Sequence, residues 1–303
     1  MPDGRPRTGD RRGYPARVSS RIFADGLLAG KVALLSGGGS GLGRAAALEL
    51  TALGADVVIC GREIEPLRET ADLCMADGSG SCSVFACDIR EADQVERLVD
   101  AALDVHGRID VLVNNAGGQF MAPAEDISEK GFETVIRLNV HGTWLMTHTV
   151  ATRAMIPEQL GEQRGGKIIN ITLSPHNGMP GMAHSSAARA AVENLTKVLS
   201  IEWARFGISL NAIAVGQVAT ETLMTKYPRV VVDNLAHSIP SGRLGRPEEI
   251  AWAIAYLASP AGDFYSGSVL TIDGARDDWL GPWPPQQLIG ASGAPVAEQR
   301  KPK

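Results

Sequence analysis

From Gly30 onward the chain alternates short runs that are apolar throughout with longer stretches whose apolar residues recur at helical spacing. No other feature constrains the fold as strongly. KVALLS, ADVVIC, SCSVFACD, IDVLVNNAGG, KIINIT, ISLNAIAV and GSVLTIDG are seven candidate strands. Between them RAAALELTALG, EPLRETADLCMA, EADQVERLVDAALDVHG, a stretch from about Ile127 to Met155, GMAHSSAARAAVENLTK and PEEIAWAIAYLAS read as helices, the last opened by proline. A strand that is apolar on both faces needs cover on both, as in a parallel sheet flanked by helices. The pattern predicts one α/β domain over residues 26–276, a doubly wound seven-stranded parallel sheet with helices on both faces. Residues 216–246 carry a weaker pattern and are expected to be irregular.

The ends differ from this body. Residues 1–25 are rich in Arg, Gly and Pro and lack the hydrophobic region of a secretory signal. They read as a leader without regular structure, or as a start placed too far upstream. Residues 277–303 are rich in Pro and Gly, with Trp279 and Trp283 as apolar anchors by which DDWLGPWPP would pack on the body. No apolar run approaches the ~20 residues of a spanning helix, so no membrane is expected. A formal net charge of −5 argues against nucleic acid as the main partner. Cys60, Cys74, Cys82 and Cys87 show neither CxxC spacing nor paired His ligands. They read as reduced structural thiols of a cytoplasmic protein, with no metal.

SGGGSGLGR, residues 36–44, lies between the first strand and the first helix. Gly37, Gly41 and Gly43 let the backbone turn sharply and approach a pyrophosphate, while the helix N-terminus supplies amides and positive dipole. The second strand ends Cys60-Gly61-Arg62, without the carboxylate that would hydrogen-bond a ribose 2′-hydroxyl. Arg62 and Arg44 can instead meet a 2′-phosphate with charge-assisted forks, which points to NADP(H).

Gly37/Gly41/Gly43, Asp88 in ACDIR, Asn114-Asn115-Ala116-Gly117, Asn139 in RLNVHG and GRLGRPEEIA together resemble the short-chain dehydrogenase/reductase family over nearly all of residues 26–274. The resemblance implies a Rossmann-type fold with Asp88 near the adenine, the NNAG segment supporting the central sheet, and Thr220 at the nicotinamide carboxamide. It also places Ser36, Leu42, Ile89, Asn115, Ala116, Gly117, Gly216 and Val218 along the cofactor, and it implies a homo-dimer or homo-tetramer through the helices at 127–155 and 184–204. One departure is Val215-Gly216, where the family usually has Pro-Gly.

A second departure bears on the chemistry. The family uses a serine and, about a dozen residues later, Tyr-x-x-x-Lys. The tyrosine is the acid or base at a carbonyl or alcohol oxygen, and the lysine binds the nicotinamide ribose and lowers the tyrosine pKa. Here Ser185 stands at the tyrosine position and Arg189 at the lysine position. Spacing of four keeps both on one helix face. Arg189 can fork onto two ribose hydroxyls but cannot titrate near neutrality. The upstream serine position is shared between Thr172, Leu173 and Ser174.

Hydride transfer to the C=C bond of an enoyl thioester avoids the need for a strong acid. It gathers charge on the thioester oxygen, which asks for hydrogen-bond donors. Thr172, Ser174, Ser185 and the amide of Asn139 are of the right kind. AHSSAARAAVENLTK, NNAGGQFMAPAEDIS and GLLAGKVALLSGGGSGLGRA resemble the peroxisomal trans-2-enoyl-CoA reductase branch, which reduces trans-2-enoyl-CoA with NADPH. The chain ends in KPK instead of an SKL-like tripeptide, so a cytoplasmic relative is expected. His184 and His176 are further candidates for the proton, and Gln119 for a substrate head group. Lys226, Arg229, Arg243 and Arg246 are candidates for CoA phosphates. A carbonyl reductase or alcohol dehydrogenase with a non-standard acid, and a non-catalytic NADP-binding protein, are the competing readings.

Overall fold

The computed structural model describes residues 20, 22–76, 80–156, 165–174, 176, 178–226 and 229–279 of the 303-residue chain. Trp283 and most of the expected leader and tail lie outside them. β1 (Val32–Ser36), β2 (Asp56–Gly61), β3 (Cys82–Ala86), β4 (Val111–Asn114), β5 (Gly166–Leu173), β6 (Ile208–Val215) and β7 (Val269–Ile272) form one sheet in the order β3-β2-β1-β4-β5-β6-β7. Every pairing is parallel. The strand order reverses on either side of β1, so the tips of β1 and β4 diverge and open a crevice at their C-terminal ends, where ligands of such sheets bind.

Alternation along each strand sends side chains into two separate cores. From β1, Ala33 and Leu35 face the core built with α1 (Gly41–Ala52), α2 (Ile64–Met75) and α9 (Pro247–Ala258). Val32 and Leu34 face the core built with α3 (Ala92–His106), α5 (Gly142–Val150) and α6 (Ala183–Glu202). Leu34, Leu35 and Leu112 are all fully buried, each contributing about 1.5–3 kcal/mol by removal from water.

The long helix expected from 127 to 155 runs as α4 (Glu129–Ile136), a π-turn (Arg137–His141), α5 and a second π-turn (Ala151–Met155). Ser128 caps its start by accepting from the Gly131 amide. The first π-turn has a local cause. In an α-helix the Val135 carbonyl takes the Asn139 amide; here the Asn139 side chain donates to it at 2.8 Å, and Thr143 Oγ1 donates to the Asn139 carbonyl at 2.8 Å. The segment 216–246 is more regular than its sequence suggested, with α7 (Glu221–Lys226) and α8 (Arg229–His237). Among the described residues no helix is long and apolar enough to cross a membrane.

Candidate active site

A cavity of about 410 Å³ opens at the C-terminal ends of β1, β2 and β4. Its phosphate end is the turn after β1. Gly37 has φ +73°, and Gly41 has φ +54°, a left-handed region that glycine enters without a Cβ penalty. The carbonyl of Cys60 accepts from the amides of Gly37 and Gly38 at 2.7 and 3.3 Å and fixes the start of the turn to β2. Ser36 Oγ accepts from the amides of Asn115 and Ala116 at 3.1 and 3.0 Å, and Asn115 Nδ2 donates to the carbonyls of Ser36 and Gly37. The tips of β1 and β4 are thereby tied together. Gly43 lies behind the turn, where a Cβ would stand 2.0 Å from the Gly37 oxygen. Such a cradle, closed to side chains and headed by the α1 N-terminus, suits a pyrophosphate.

Of the predicted cofactor residues, Gly37, Gly41, Leu42, Arg62, Asp88, Ile89, Asn115, Ala116, Gly117 and Thr220 line this cavity. Asp88 is clamped by Arg90, whose Nε donates to both carboxylate oxygens at 2.9 and 3.1 Å. That fork holds the Asp88 carboxyl below its ordinary pKa. Gly216 is one layer back, with its amide donating to the Ile272 carbonyl and Asp273 packed against it. Val218 pairs with Gly245 and positions Thr220. Arg44 departs from expectation. Its guanidinium donates to Thr70 Oγ1 (3.0 Å), the Gly39 carbonyl (2.7 Å) and Glu69 (3.1 Å), and so braces the turn from outside the cavity. Arg62, by contrast, is exposed at the cavity wall.

α6 carries the altered pair. Ser185 is fully buried and its Oγ donates to Gln119 Oε1 at 2.8 Å. Arg189 Nη1 donates to the Ile171 carbonyl at 2.9 Å, while its Nε is buried with no partner. Burial alone lowers the Arg189 pKa to about 10, which leaves it cationic at neutrality. Its other amino group lies against Gly117, where a Cβ would stand 2.4 Å from Nη2 and 2.7 Å from Asn139 Oδ1. Arg189 therefore projects beneath the same turn that lines the cavity.

Asn139 does something other than its expected role as an oxygen-binding donor. Its Nδ2 donates to the carbonyls of Gly118 and Val135 at 2.8 Å each, and its Oδ1 accepts from the Gly118 amide at 3.2 Å. With both amide hydrogens spent, it clamps the 117–118 turn. Thr172 is also turned away: its Oγ1 donates to Glu193 Oε1 at 2.8 Å within the protein. Ser174 is fully buried and its Oγ has no partner. His184 is fully buried, accepts from the Ser185 amide through Nδ1 at 2.7 Å, and meets the Phe120 ring edge-on at 4.3 Å, with Nε2 unpartnered. Arg243 and Arg246 are both drawn to Glu249, at 2.7 and 3.3 Å, and Arg229 pairs with Asp233 at 3.0 Å. In this structure the three charges are held in these exposed ion pairs. The Lys226 side chain lies outside the described residues.

Glu193 and Asp277 are functional candidates that the sequence did not mark. His176 donates its amide to Asp277 Oδ1 at 2.8 Å, its Nδ1 meets Asp277 Oδ2, and its Nε2 lies 3.2 Å from Glu193. The chain past β7 is thus stapled to the loop after β5. Burial opposes a proton on His176, but the two carboxylates outweigh it and raise its pKa. A raised histidine pKa stabilises the fold fully below the ordinary value near 6.5, and the contribution fades as pH climbs through the raised value. Denaturant unfolding of His176→Asn against the parent is therefore expected to show a stability gap at pH 6 that narrows by pH 8.5. A gap independent of pH would reject the ion pairing. The only sequence signal for Glu193 was its place four residues beyond Arg189 on α6.

The strand order, the cradle and the NNAG tie define a dinucleotide-binding α/β protein. A family model described as enoyl-(acyl carrier protein) reductase matches residues 37–275, and the chain belongs to this short-chain dehydrogenase/reductase family. Its cofactor is a nicotinamide dinucleotide. Among curated relatives, a probable 2,4-dienoyl-CoA reductase of Bacillus subtilis is 34% identical, covering 84% of this chain and 98% of the relative. Among solved structures, a citronellol catabolism dehydrogenase of Pseudomonas aeruginosa is 42% identical with TM-score 0.75, covering 84% and 98%. A 3-ketoacyl-(acyl-carrier-protein) reductase from Brucella melitensis complexed with NADH is 32% identical with TM-score 0.75, covering 82% and 99%.

Proposed function

We propose that the protein is an NADPH-dependent reductase of the C=C bond of an enoyl-CoA thioester. The observation that carries this reading is the Ser185–Gln119 pair at the position where the family's phenol would act. Neither Tyr256 nor Tyr265 lines the cavity; their rings meet edge-on at 5.7 Å, and Tyr14 and Tyr227 lie outside the described residues. A serine hydroxyl is a poor acid. A hydroxyl and a carboxamide are nevertheless good donors to an oxygen on which charge gathers without full protonation. In this reading Ser185 Oγ orients the Gln119 amide, and the Gln119 NH₂ group donates to the thioester oxygen. The bound dinucleotide supplies the hydride.

Arg189 is assigned to the nicotinamide ribose, with Asn139 and Gly117 holding the turn above it. Arg62 supports the NADPH preference because it is an exposed cation at the cavity wall directly after β2, where Glu63 and Asp88 also line the cavity. Homo-oligomerisation through α4, α5 and α6 belongs to the same proposal; Val198 and Ile201 on the outer side of α6 are 43% and 79% exposed, which supports a covered face.

The second reading, alcohol or carbonyl chemistry with His184 as acid, is favoured by the 42% identical citronellol catabolism dehydrogenase and by the unpartnered His184 Nε2. The deciding test is oxidation of NADPH and NADH across a panel of enoyl-CoA esters, ketones and aldehydes, with reduction of NADP⁺ on alcohols. Turnover is expected on enoyl-CoA with NADPH, and Ser185→Ala and Gln119→Ala are each expected to lower kcat/KM by about 10- to 100-fold. Turnover of a ketone or alcohol with none on any enoyl-CoA would reject the proposal. NADPH binding without turnover on the whole panel would favour a binding protein.

A further inference from the structure

The four cysteines are distributed in a way that structural thiols do not require. Cys60 ends the buried run of β2 and Cys87 directly follows β3. The strands pair with Cys60 opposite Phe85 and Gly61 opposite Ala86, and the Cys87 amide donates to the Gly61 carbonyl at 2.8 Å. Side chains two residues apart share a face, and both thiols enter the same apolar cluster beneath α3. There the two thiols lie on adjacent strands, close enough for each to perturb the other's titration. Each cysteine also holds a part of the nucleotide cavity. The Cys60 carbonyl anchors the amides of Gly37 and Gly38, and Cys87 lines the adenine end beside Asp88 and Ile89. Cys87 is only 2% exposed and Cys60 is fully buried, so the cavity is the route by which a reagent reaches the pair.

We propose that Cys87 and Cys60 form a redox-responsive dithiol under the adenine end of the cavity, in which Cys87 is attacked by a hydroperoxide, Cys60 resolves it to a disulfide, and bound dinucleotide protects both. In the first step the Cys87 thiolate attacks the peroxide oxygen. An S–O bond forms, the O–O bond breaks, water leaves once the released oxygen takes a proton, and the sulfur is oxidised by two electrons to a sulfenic acid. In the second step the Cys60 sulfur attacks that sulfur, the S–O bond breaks, and the hydroxide departs as water with the Cys60 proton. The assignment of roles follows access: Cys87 lines the cavity through which a peroxide arrives, whereas Cys60 is fully buried behind it and can only resolve. The thiolate is the nucleophile, so Cys87 reacts first. Joining the two sulfurs pulls on the end of β2, whose Cys60 carbonyl sets the phosphate-binding turn, so the oxidised protein binds dinucleotide more weakly.

The test treats the full chain with hydrogen peroxide, with and without saturating NADPH, then counts thiols after denaturation and maps peptides. Trypsin places Cys60 in peptide 45–62 and Cys87 in peptide 69–90 together with Cys74 and Cys82, so the cross-link is localised by fragmentation and again in a Cys74→Ser/Cys82→Ser background. The expected result is loss of two thiols, a Cys60–Cys87 cross-link and at least a tenfold rise in the NADPH dissociation constant followed by fluorescence. Dithiothreitol should reverse both changes, and saturating NADPH should slow the reaction at least tenfold. Cys60→Ser and Cys87→Ser should each keep after peroxide the affinity they have before it. The proposal is overturned by four free thiols after peroxide, by a cross-link confined to Cys74–Cys82, by a Cys87 sulfenic acid that never resolves, or by unchanged NADPH affinity in the cross-linked protein.

Discussion

Alanine at Gly43 is expected to raise the dissociation constant for NADPH by about a hundredfold. The added Cβ would lie 2.0 Å from the Gly37 carbonyl oxygen, 2.6 Å from Asn115 Nδ2 and 2.8 Å from the Gly37 carbonyl carbon, where real Cβ atoms essentially never come within 3.0 Å. Two of these neighbours are backbone of the turn itself, so relief requires the turn to open or α1 to withdraw. Either movement also strains the hydrogen bonds from Asn115 to Ser36 and Gly37 that tie β1 to β4. Overpacking of this kind costs about 1–3 kcal/mol, more where backbone must move, and at 1.4 kcal/mol per decade the upper end is about a hundredfold in binding. Gly30→Ala provides the control. Gly30 has φ +74° with nothing within 4 Å of an added Cβ, so its substitution introduces backbone strain of about 1 kcal/mol without touching the cradle. That variant should melt a few degrees lower and bind NADPH as the parent does. Equal losses of affinity in the two variants would show that the fold, not the cradle, was damaged.

The parts of this site that were legible in the sequence are those set by backbone. The seven strands and the turn at 36–44 announce themselves because periodicity and glycine spacing are local properties, and the cavity forms where the strand order reverses between β1 and β4. The parts that were not legible depend on which groups side chains find after folding. Arg44 and Arg62 are alike in sequence as candidates for a 2′-phosphate, yet Arg44 meets Thr70 and Glu69 on α2 and only Arg62 remains at the wall. Asn139 carries a carboxamide of the right chemistry for an oxygen ligand, but Gly118 and Val135 consume it and its competition for the Val135 carbonyl bends the helix into a π-turn. Sequence spacing does not reveal such competition, because a π-turn differs from an α-turn by one residue of register and leaves the apolar stripe intact.

The staple pairs His176 with Asp277 and Glu193, 101 and 17 positions away, and no local pattern links them. It was hidden for a second reason. The Pro/Gly-rich composition beyond Ala275 drew attention to the tryptophans, of which Trp279 is half-buried, and gave no sign that Asp277 is held electrostatically, with its amide donating to Asp273 Oδ2 at 2.7 Å. The sequence did identify Ser185 and Arg189 as altered; the structure adds their partners, Gln119 above the first and the Gly117 turn beside the second.

Arg189→Met is expected to separate cofactor binding from stability. The guanidinium is a cation in a desolvated place: its Nε has no partner, among the described residues no carboxylate pairs with it, and burial pulls its pKa down to about 10. Holding an unpaired charge there opposes folding, so an apolar side chain of similar length relieves that cost while forfeiting the charged bond to the Ile171 carbonyl, worth about 1.5–3 kcal/mol. The two effects offset each other, and the melting temperature should move by only a few degrees in either direction. Binding should respond differently. A fork onto two ribose hydroxyls is worth about 1.5–3 kcal/mol when the donor is charged, so methionine should raise the NADPH dissociation constant by about 10- to 100-fold. Arg189→Lys should fall between the parent and Arg189→Met, because an ammonium keeps the charge but gives up the planar pair of donors. Titration of nucleotide fluorescence alongside thermal melts checks both halves. A variant that loses ten degrees or more and its affinity together would make Arg189 a structural residue. A stable Arg189→Met protein that binds NADPH as tightly as the parent would remove Arg189 from the ribose.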